Sequence, residues 1–415
     1  NAVKQYKYDR KPYDSKTRKK EPLLNLGRGA LVHFAVGENE IYMTTQLAGE
    51  KTRFLPFNKG KDGLEAGNSM PEDGSYPISY FWDQILQKET LIDIVYNYIH
   101  YERKEVEDEN GKIDFKTSMI FPRFHQWDAV TKLLQASYEE GPGQAYLIQH
   151  SAGSGKSNSI AWLAHQLSNL YKDDQRVFDT VIVITDRKVL DDQLQDTIFQ
   201  FEHKKGVVTR IGHKDEVSGG SKSQQLAKHL MDGTNIVIVT IQTFPFVVDA
   251  IRQETSLKDR KFAVIADEAH SSQSGKGAAK LKLALHGQQV DDEEVSAEDF
   301  LTEYMNTRSR PSNMSYYAFT ATPKAKTLEI FGRCPDPDMP ISEDNKPAAF
   351  HLYSMRQAIQ EGFIVNVLKN YTQYKVLYEL MLNTDKDQKV DQKKAKKEIA
   401  QFARLHPHNI SQKIQ

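Results

Sequence analysis

The sequence feature that most constrains the fold is a series of short, β-branched apolar runs after residue 121, each separated from the next by a helical stretch. Such runs indicate parallel strands that are buried on both faces of a sheet. We therefore predict an α/β fold with helices on both faces of a parallel sheet. Ligands of such sheets bind at the carboxyl ends of the strands. The runs are "QAYLIQH", "DTVIVITD", "NIVIVTIQTF", "FAVIADEAH" and "MSYYAFTATP".

Composition excludes several classes of protein. The chain has 415 residues, 39% of them hydrophobic and 27% charged, which is typical of a packed globular protein. No apolar run approaches the roughly 20 residues that a membrane span needs, and the basic N-terminus lacks the apolar part of a signal peptide. The single cysteine, Cys334, indicates a reducing compartment, so we expect a cytoplasmic protein. The chain begins at Asn1 without a methionine, and we expect it to be a piece of a longer protein.

The stretch "QHSAGSGKSNS" at residues 149–159 has the order of strand, glycine turn, Lys-Ser and helix that a phosphate-binding loop requires. Gly153 and Gly155 allow backbone N–H groups to converge on an anion without a clash from a Cβ atom. Lys156 would contact the β and γ phosphates of a nucleotide, and the Ser157 hydroxyl would hold Mg²⁺.

One position of this loop departs from the usual pattern, because His150 stands where the first glycine is expected. The residues predicted to bind the nucleotide in the loop are Ala152, Gly153, Ser154, Gly155, Lys156 and Ser157. The apolar residues predicted to share one face of the following helix are Ile160, Leu163, Ala164 and Leu167.

Two further motifs stand at predicted strand ends. Asp267 and Glu268 follow the run "FAVIA"; the first carboxylate can reach Mg²⁺ held by the loop serine, and the second can polarise an attacking water. Thr320 and Thr322, in "FTATP", are small hydroxyl residues that could bond to the acidic pair and to a neighbouring domain. Taken singly, a solvated turn and ordinary strand-end threonines are the alternatives.

Together the motifs resemble those of superfamily 2 helicases and translocases with a DEAH-type motif II, in which His270 joins the acidic pair as a catalytic residue. More narrowly, the chain resembles the motor subunit of type I restriction enzymes, HsdR. "LVHFAVGENEIYMTTQLAGEKTRFLPFN" resembles the end of that subunit's nuclease domain. The other matching segments are "FPRFHQWDAV", "QHSAGSGKSNSIAWLAHQL", "ITDRKVLDDQL", "TIQTF", "DEAHSSQSG", "FTATPKAKTLEIFG" and "YSMRQAIQEGFIVNVLKNYTQY".

The resemblance implies a RecA-like parallel sheet as the first motor lobe, preceded by the C-terminal part of an α/β restriction-nuclease-like domain. Gln126 would read the adenine edge through its side-chain amide, and Phe124 would stack on the base. Gln5 and Tyr8 would be outlying elements of the nuclease site, or else part of a basic surface turn. The implied DNA contacts are Arg187, Lys188, Thr240, Gln242 and Thr243, and the alternative for each is a surface charge or a strand-end cap.

The sequence divides into four predicted segments. These are residues 1–105, the remainder of the nuclease-like domain; 106–120, a charged linker; 121–345, motor lobe 1; and 346–415, a connector and the start of lobe 2. Within the first segment we predict two strands in residues 29–47 and a helix within residues 80–101.

The leading hypothesis is the ATP-dependent DNA translocase and endonuclease subunit of a type I restriction-modification system. The resemblance implies ATP and Mg²⁺ as cofactors, and double-stranded DNA with the modification (M) and specificity (S) subunits as partners. The alternatives are a superfamily 2 helicase or remodeller without a nuclease role, and a P-loop kinase or small-molecule ATPase. We expect this segment alone to turn over little ATP, because the arginine that stabilises the transition state belongs to the second lobe.

Overall fold

The structure is a computed structural model of the chain, which divides into two compact units, residues 1–364 and residues 365–415. The description below concerns the first unit. The structure describes residues 2–10, 12–13, 19, 21–27, 29–107, 113–185, 188–201, 207–211, 230, 233–240, 244, 247–248, 251, 255–257, 259–267 and 311–366.

The described residues form fourteen named strands and seven α-helices. The strands are β1 (His33–Val36), β2 (Ile41–Thr44), β3 (Leu55–Pro56), β4 (His100–Glu107), β5 (Ile113–Ile120), β6 (Ala145–His150), β7 (Tyr171–Lys172), β8 (Gln175–Arg176), β9 (Thr180–Thr185), β10 (Val208–Ile211), β11 (Ile236–Thr240), β12 (Phe262–Ala266), β13 (Met314–Thr320) and β14 (His351–Tyr353). The α-helices are α1 (Ala2–Tyr8), α2 (Lys88–Asn97), α3 (Phe124–Glu140), α4 (Lys156–Leu167), α5 (Lys188–Gln200), α6 (Ala325–Phe331) and α7 (Met355–Gln360).

A seven-stranded sheet in the order β10-β11-β9-β12-β13-β6-β14 forms the centre of the chain. Every neighbouring pair in it is parallel. All strands therefore end at the same edge of the sheet, where Asp267 after β12 and the residues that follow β6 and β13 begin. The α/β fold with a parallel sheet is thus confirmed.

Alternate residues of the strands pack on opposite faces of this sheet, as the pleat requires. On one face, Tyr146 and Ile148 of β6 join a core that contains the buried side chains of α3 and α4. On the other face, Ala145 and Leu147 join a second core with Phe331 of α6. The predicted apolar face of α4 is confirmed, since all four of its residues are completely buried.

The N-terminal segment forms a small antiparallel sheet, β1-β2-β3, and the strand pair predicted within residues 29–47 is present. The predicted helix within residues 80–101 is interrupted: a π-helical turn at Phe81–Ile85 precedes α2, and the chain continues into β4. Ile85 and Ile94 are buried, whereas Leu91, Ile92 and Val95 face the solvent.

The stretch predicted as a charged linker, residues 106–120, contains the whole of β5 and the last two residues of its partner β4. β4 and β5 pair antiparallel from His100–Ile120 at one end to Glu107–Ile113 at the other. The apolar residues of "IDFKTSMI" alternate at first with polar ones, which is a strand pattern that the surrounding charges obscured. A second difference is β14, which joins the parallel sheet beyond the predicted end of motor lobe 1 at residue 345. The four-segment division itself stays a prediction.

The side chain of Trp162 connects the parallel sheet's helical layer to the N-terminal segment. It is completely buried on α4, and its indole N–H donates to the carbonyl oxygen of Tyr98 at 3.0 Å. Its ring contacts Tyr98 and Phe201 at centroid distances of 5.4 and 5.9 Å. In the part of the chain that the structure describes, no helix is both long and apolar enough to cross a membrane.

We expect Trp162→Ala to lower the free energy of unfolding by about 3–5 kcal/mol, because it removes a buried aromatic ring and leaves a cavity. The matched control is Trp82→Ala, at a side chain that is 48% exposed, where we expect a change of about 0.5 kcal/mol or less. Urea unfolding of the two variants measures the difference. Equal unfolding midpoints would contradict a stabilising role for the contact of Trp162 with the N-terminal segment.

Candidate functional site

The loop between β6 and α4 has the backbone shape of an anion site. Gly153 and Gly155 have φ angles of +72° and +76°, in the left-handed region that favours glycine. Gly155 precedes the first turn of α4 as its N-cap, and no side chain caps that turn. The first turn also contains no acidic residue. The helix N-terminus therefore presents backbone N–H groups and partial positive charge to whatever lies in front of it.

Three side chains around the start of α3 hold three successive carbonyl groups of the loop. Arg123 Nη2 donates to Gly153 O at 3.0 Å, and Gln126 Nε2 donates to Gly155 O at 2.9 Å. His125 Nε2 lies 3.0 Å from Ser154 O. In a planar trans peptide the N–H points opposite to the C=O. Fixing these carbonyls toward α3 therefore turns the N–H groups of the following residues, Gly155 and Lys156 among them, away from it.

Gln126 occupies a different environment from the one that adenine reading requires. Its Oε1 accepts from the backbone N–H of Arg123 at 2.9 Å while its Nε2 holds Gly155, so both ends of the amide are bonded within the protein. The side chain is buried. In this arrangement Gln126 is a clamp on the loop, and a role in reading adenine stays a prediction.

Phe124 does not lie where a base could stack on it. Its ring is 4% exposed and packs edge-on against Tyr80 and Phe57, at centroid distances of 4.9 and 5.9 Å. The ring is part of the hydrophobic core that α3 shares with the N-terminal segment. The structure therefore does not support the predicted stacking on a base.

Lys156 and Ser157 begin α4, as the phosphate-loop pattern predicts. The ammonium of Lys156 reaches back across the loop and donates to His150 O at 3.1 Å. Ser157 is half-buried in the same turn, and Ala152 is exposed at the tip of the loop. The loop therefore gathers an ammonium, a hydroxyl and directed N–H groups in a few residues.

His150 is part of a buried chain that sequence reasoning missed. Its Nε2 lies 2.8 Å from Nδ1 of His351, whose Nε2 lies 3.0 Å from Oδ2 of Asp128. Burial lowers the pKa of His150 and of His125 well below the usual range, so both imidazoles are neutral near pH 7. His150 and His351 are 201 residues apart in the sequence, and no spacing rule connects them.

A segment that follows β14 lies against the loop from the other side. Tyr353 O accepts from the backbone N–H of Ser151 at 3.0 Å. The guanidinium of Arg123 stacks over the ring of Phe363 at 4.1 Å. A Cβ atom on Gly153 would lie 3.1 Å from Cγ2 of Ile364, which is closer than ordinary van der Waals contact. The loop is therefore held between α3 and residues 351–364.

The acidic and threonine motifs share the sheet edge with the loop. Asp267 directly follows β12, and Thr320, fully buried, is the last residue of β13. Because β13 lies between β12 and β6 and adjacent strands are about 4.8 Å apart, Asp267 follows a strand about 10 Å from the strand of the loop. Thr322 is exposed just beyond its strand. Glu268 and His270 lie outside the described residues.

The predicted DNA contacts are only partly described. Thr240 is half-buried at the end of β11, on the same edge of the sheet as the loop, and Lys188 begins α5. Gln5 and Tyr8 lie on α1 and are exposed. Those outside the described residues are Arg187, Gln242 and Thr243.

Two curated relatives are similar to this chain. The type I restriction enzyme HindI endonuclease subunit of Haemophilus influenzae is 26% identical over 289 residues, which are 68% of this chain and 23% of that protein. A protein assigned as the type I restriction enzyme MjaVIIIP endonuclease subunit of Methanocaldococcus jannaschii is 26% identical over 260 residues, 60% of this chain and 23% of that one. The chain thus spans about a quarter of the length of the relatives it matches. Their names confirm the resemblance to type I restriction endonuclease subunits.

Among solved structures, a fragment assigned to an HsdR subunit of a type I restriction enzyme from Vibrio vulnificus YJ016 is similar. It has a TM-score of 0.33 and 14% sequence identity, and the match covers 85% of this chain and 62% of that one.

We expect Gly155→Ala to destabilise the fold more than Gly74→Ala. Both glycines have φ near +75°, so each alanine meets a similar backbone strain, about 1–3 kcal/mol. A Cβ on Gly155 would also lie 2.5 Å from Gln126 Nε2 and 2.8 Å from Arg123 Nη2, whereas one on Gly74 meets nothing within 4 Å. Urea unfolding compares the two variants. Equal losses of stability would show that the side chains of Gln126 and Arg123 move aside without an energetic cost.

A family model provides the broadest comparison. The model of the SWI2/SNF2 ATPases matches residues 125–403, which is about two thirds of the chain. The match begins at the start of α3 and includes the phosphate loop, Asp267 and Thr320. A parallel sheet with a glycine loop before α4 is the arrangement that such an enzyme needs to hold a nucleotide by its phosphates. The chain belongs to the SWI2/SNF2 ATPase family.

Proposed function

We propose that this chain is the ATP-binding part of the motor and endonuclease subunit of a type I restriction enzyme. The single observation that carries the proposal is the clamped loop, in which Arg123, His125 and Gln126 hold three successive carbonyls, so that the following N–H groups point away from α3. Membership of an ATPase family and the names of the two relatives support the same function.

The residues of the site fit ATP and Mg²⁺. Both glycines of the loop have positive φ angles, and a Cβ atom on either would press on the groups that pack against the loop. In this proposal Lys156 leaves His150 O and contacts the β and γ phosphates, and Ser157 and Asp267 hold Mg²⁺ through oxygen atoms, the ligands that this ion prefers. The metal would neutralise charge that develops on the transferred phosphoryl group.

The remaining site residues have proposed roles at the same sheet edge. Glu268 would polarise the attacking water, and His270 would complete the acidic motif. Thr320 and Thr322 would connect the acidic pair to a neighbouring lobe. The arginine that stabilises the transition state would come from that lobe, so we expect slow ATP turnover by this chain alone.

The proposed substrate is double-stranded DNA, which the complete enzyme would pull and cleave when it is unmodified. The DNA contacts would come from the residues named above at 187, 188, 240, 242 and 243, through bonds to phosphate groups. Modification and specificity subunits are the proposed partners, and the cytoplasm is the proposed location. A helicase without nuclease function would unwind strands but leave unmodified DNA uncut, and this assay on the complete protein separates the two functions.

We expect Lys156→Ala to weaken binding of ATP–Mg²⁺ by about 10- to 100-fold, because hydrogen bonds to charged groups contribute about 1.5–3 kcal/mol. Titration of the 415-residue chain with a fluorescent ATP analogue measures this affinity. The matched control is Lys172→Ala, an exposed lysine of β7, which should leave the affinity unchanged. An unchanged affinity in the Lys156 variant would contradict the proposed site, and duplex binding should survive in both variants.

We expect Gln126→Ala to lower the affinities for ATP and GTP by the same factor. Both ends of this amide are bonded within the protein, so its loss loosens the loop for any nucleotide. Parallel titrations with fluorescent analogues of the two nucleotides test this. A selective loss of ATP binding would instead show that Gln126 reads adenine.

A further inference from the structure

A chain of hydrogen bonds beneath the phosphate loop has no role in the function proposed above. It runs from Oδ2 of Asp128 on α3 to His351 at 3.0 Å, and from His351 on β14 to His150 at 2.8 Å. His150 is fully buried and His351 is 8% exposed, whereas Asp128 is 20% exposed and pairs with Lys132 at 2.6 Å. The chain thus leads from the protein surface to the base of the loop.

The carboxylate of Asp128 sets the direction of every proton in this chain. Burial alone would raise the pKa of Asp128, but the hydrogen bonds from His351 and Lys132 lower it below its usual value, so the group is ionised. An ionised carboxylate only accepts hydrogen bonds. His351 therefore donates through Nε2 and, when neutral, accepts through Nδ1. With His351 in this neutral form, His150 donates through its own Nε2.

The backbone of His150 connects this chain to the loop. Its carbonyl oxygen accepts from the ammonium of Lys156 at 3.1 Å. In the sheet, Tyr353 pairs with His150, and His351 pairs with Ile148. Two bonds, one from the imidazole of His150 and one between Ser151 N–H and Tyr353 O, thus fasten the start of the loop to β14. A shift of the imidazole would move the carbonyl that holds Lys156.

We propose that His150 is a positioning residue for the phosphate-binding lysine, held in one tautomer and one place by His351 and Asp128. The histidine at the position where the loop pattern has glycine would then place the Lys156 ammonium at the mouth of the loop before the nucleotide arrives. Nδ1 of His150, which has no hydrogen-bond partner among the described residues, is the acceptor end of the chain. The proposal rests on the nucleotide-binding function proposed above and adds the residues that set its affinity.

Substitutions of His351 separate hydrogen bonding from packing. In His351→Asn the amide oxygen can accept from His150 as Nδ1 does, whereas His351→Leu fills space without an acceptor. We expect His351→Leu to raise the Kd for ATP–Mg²⁺ about tenfold, the value of one net hydrogen bond of about 1.4 kcal/mol. We expect His351→Asn to stay within about threefold of the wild type, since it keeps one of the two bonds.

A second pair of substitutions tests the hydrogen-bond chain at Asp128, its more exposed end. A smaller side chain at this position leaves only a small cavity, so these variants are the least at risk of failing to fold. Asp128→Ala removes the acceptor that sets the tautomers and should raise the Kd about threefold, whereas Asp128→Asn keeps an oxygen acceptor and should restore it. The stability control is Arg333→Met, which breaks the two hydrogen bonds to Glu140 at 2.7 Å, away from the loop. It should lower the unfolding midpoint but leave the Kd unchanged.

The measurement is titration of each folded variant of the 415-residue chain with fluorescent ATP and Mg²⁺, with Lys156→Ala as the reference for a lost site. Wild-type affinity in His351→Leu or Asp128→Ala overturns the positioning role. Equal affinities in His351→Leu and His351→Asn also overturn it, because packing alone would then explain the loss. A wild-type chain that binds no nucleotide overturns the proposed function itself, and the inference with it.

Discussion

The row of hydrogen bonds from the start of α3 to the phosphate loop is the constraint on which the rest of the site depends. Arg123, His125 and Gln126 each fix one carbonyl, and each fixed carbonyl determines where the next N–H points. The shape of the loop is therefore fixed by contacts within the protein. A preorganised site loses less conformational entropy on binding than a loop that must first be ordered.

The position of α3 depends in turn on an aromatic core from the N-terminal segment. Phe124 and Trp127 of α3 are buried in the same apolar cluster as Phe57 and Tyr80, and this cluster continues into the strands and helices of the parallel sheet. Among the described residues, the hydrophobic packing is thus continuous from the predicted nuclease-like segment to the predicted motor lobe. A change in the N-terminal core would therefore reach the phosphate loop through the helix that holds it.

The sequence was most informative where the signal is local. Short β-branched runs predicted the parallel sheet, and two glycines before Lys156 predicted the turn into α4, because neighbouring residues decide both features. Contacts between distant residues could not be predicted in this way. Phe124 became a core residue because Tyr80 packs against it, and the partner of His150 lies 201 residues along the chain.

Gly153 is the residue of the phosphate loop that lies against the segment containing Phe363 and Ile364, and it places no side chain between them. An added methyl group would lie 3.1 Å from the Ile364 side chain and 3.4 Å from the Phe363 carbonyl. The clearance is therefore too small for the two parts of the backbone to move independently toward each other. A shift of the loop at Gly153 toward this segment would therefore press on the Ile364 side chain and the Phe363 carbonyl.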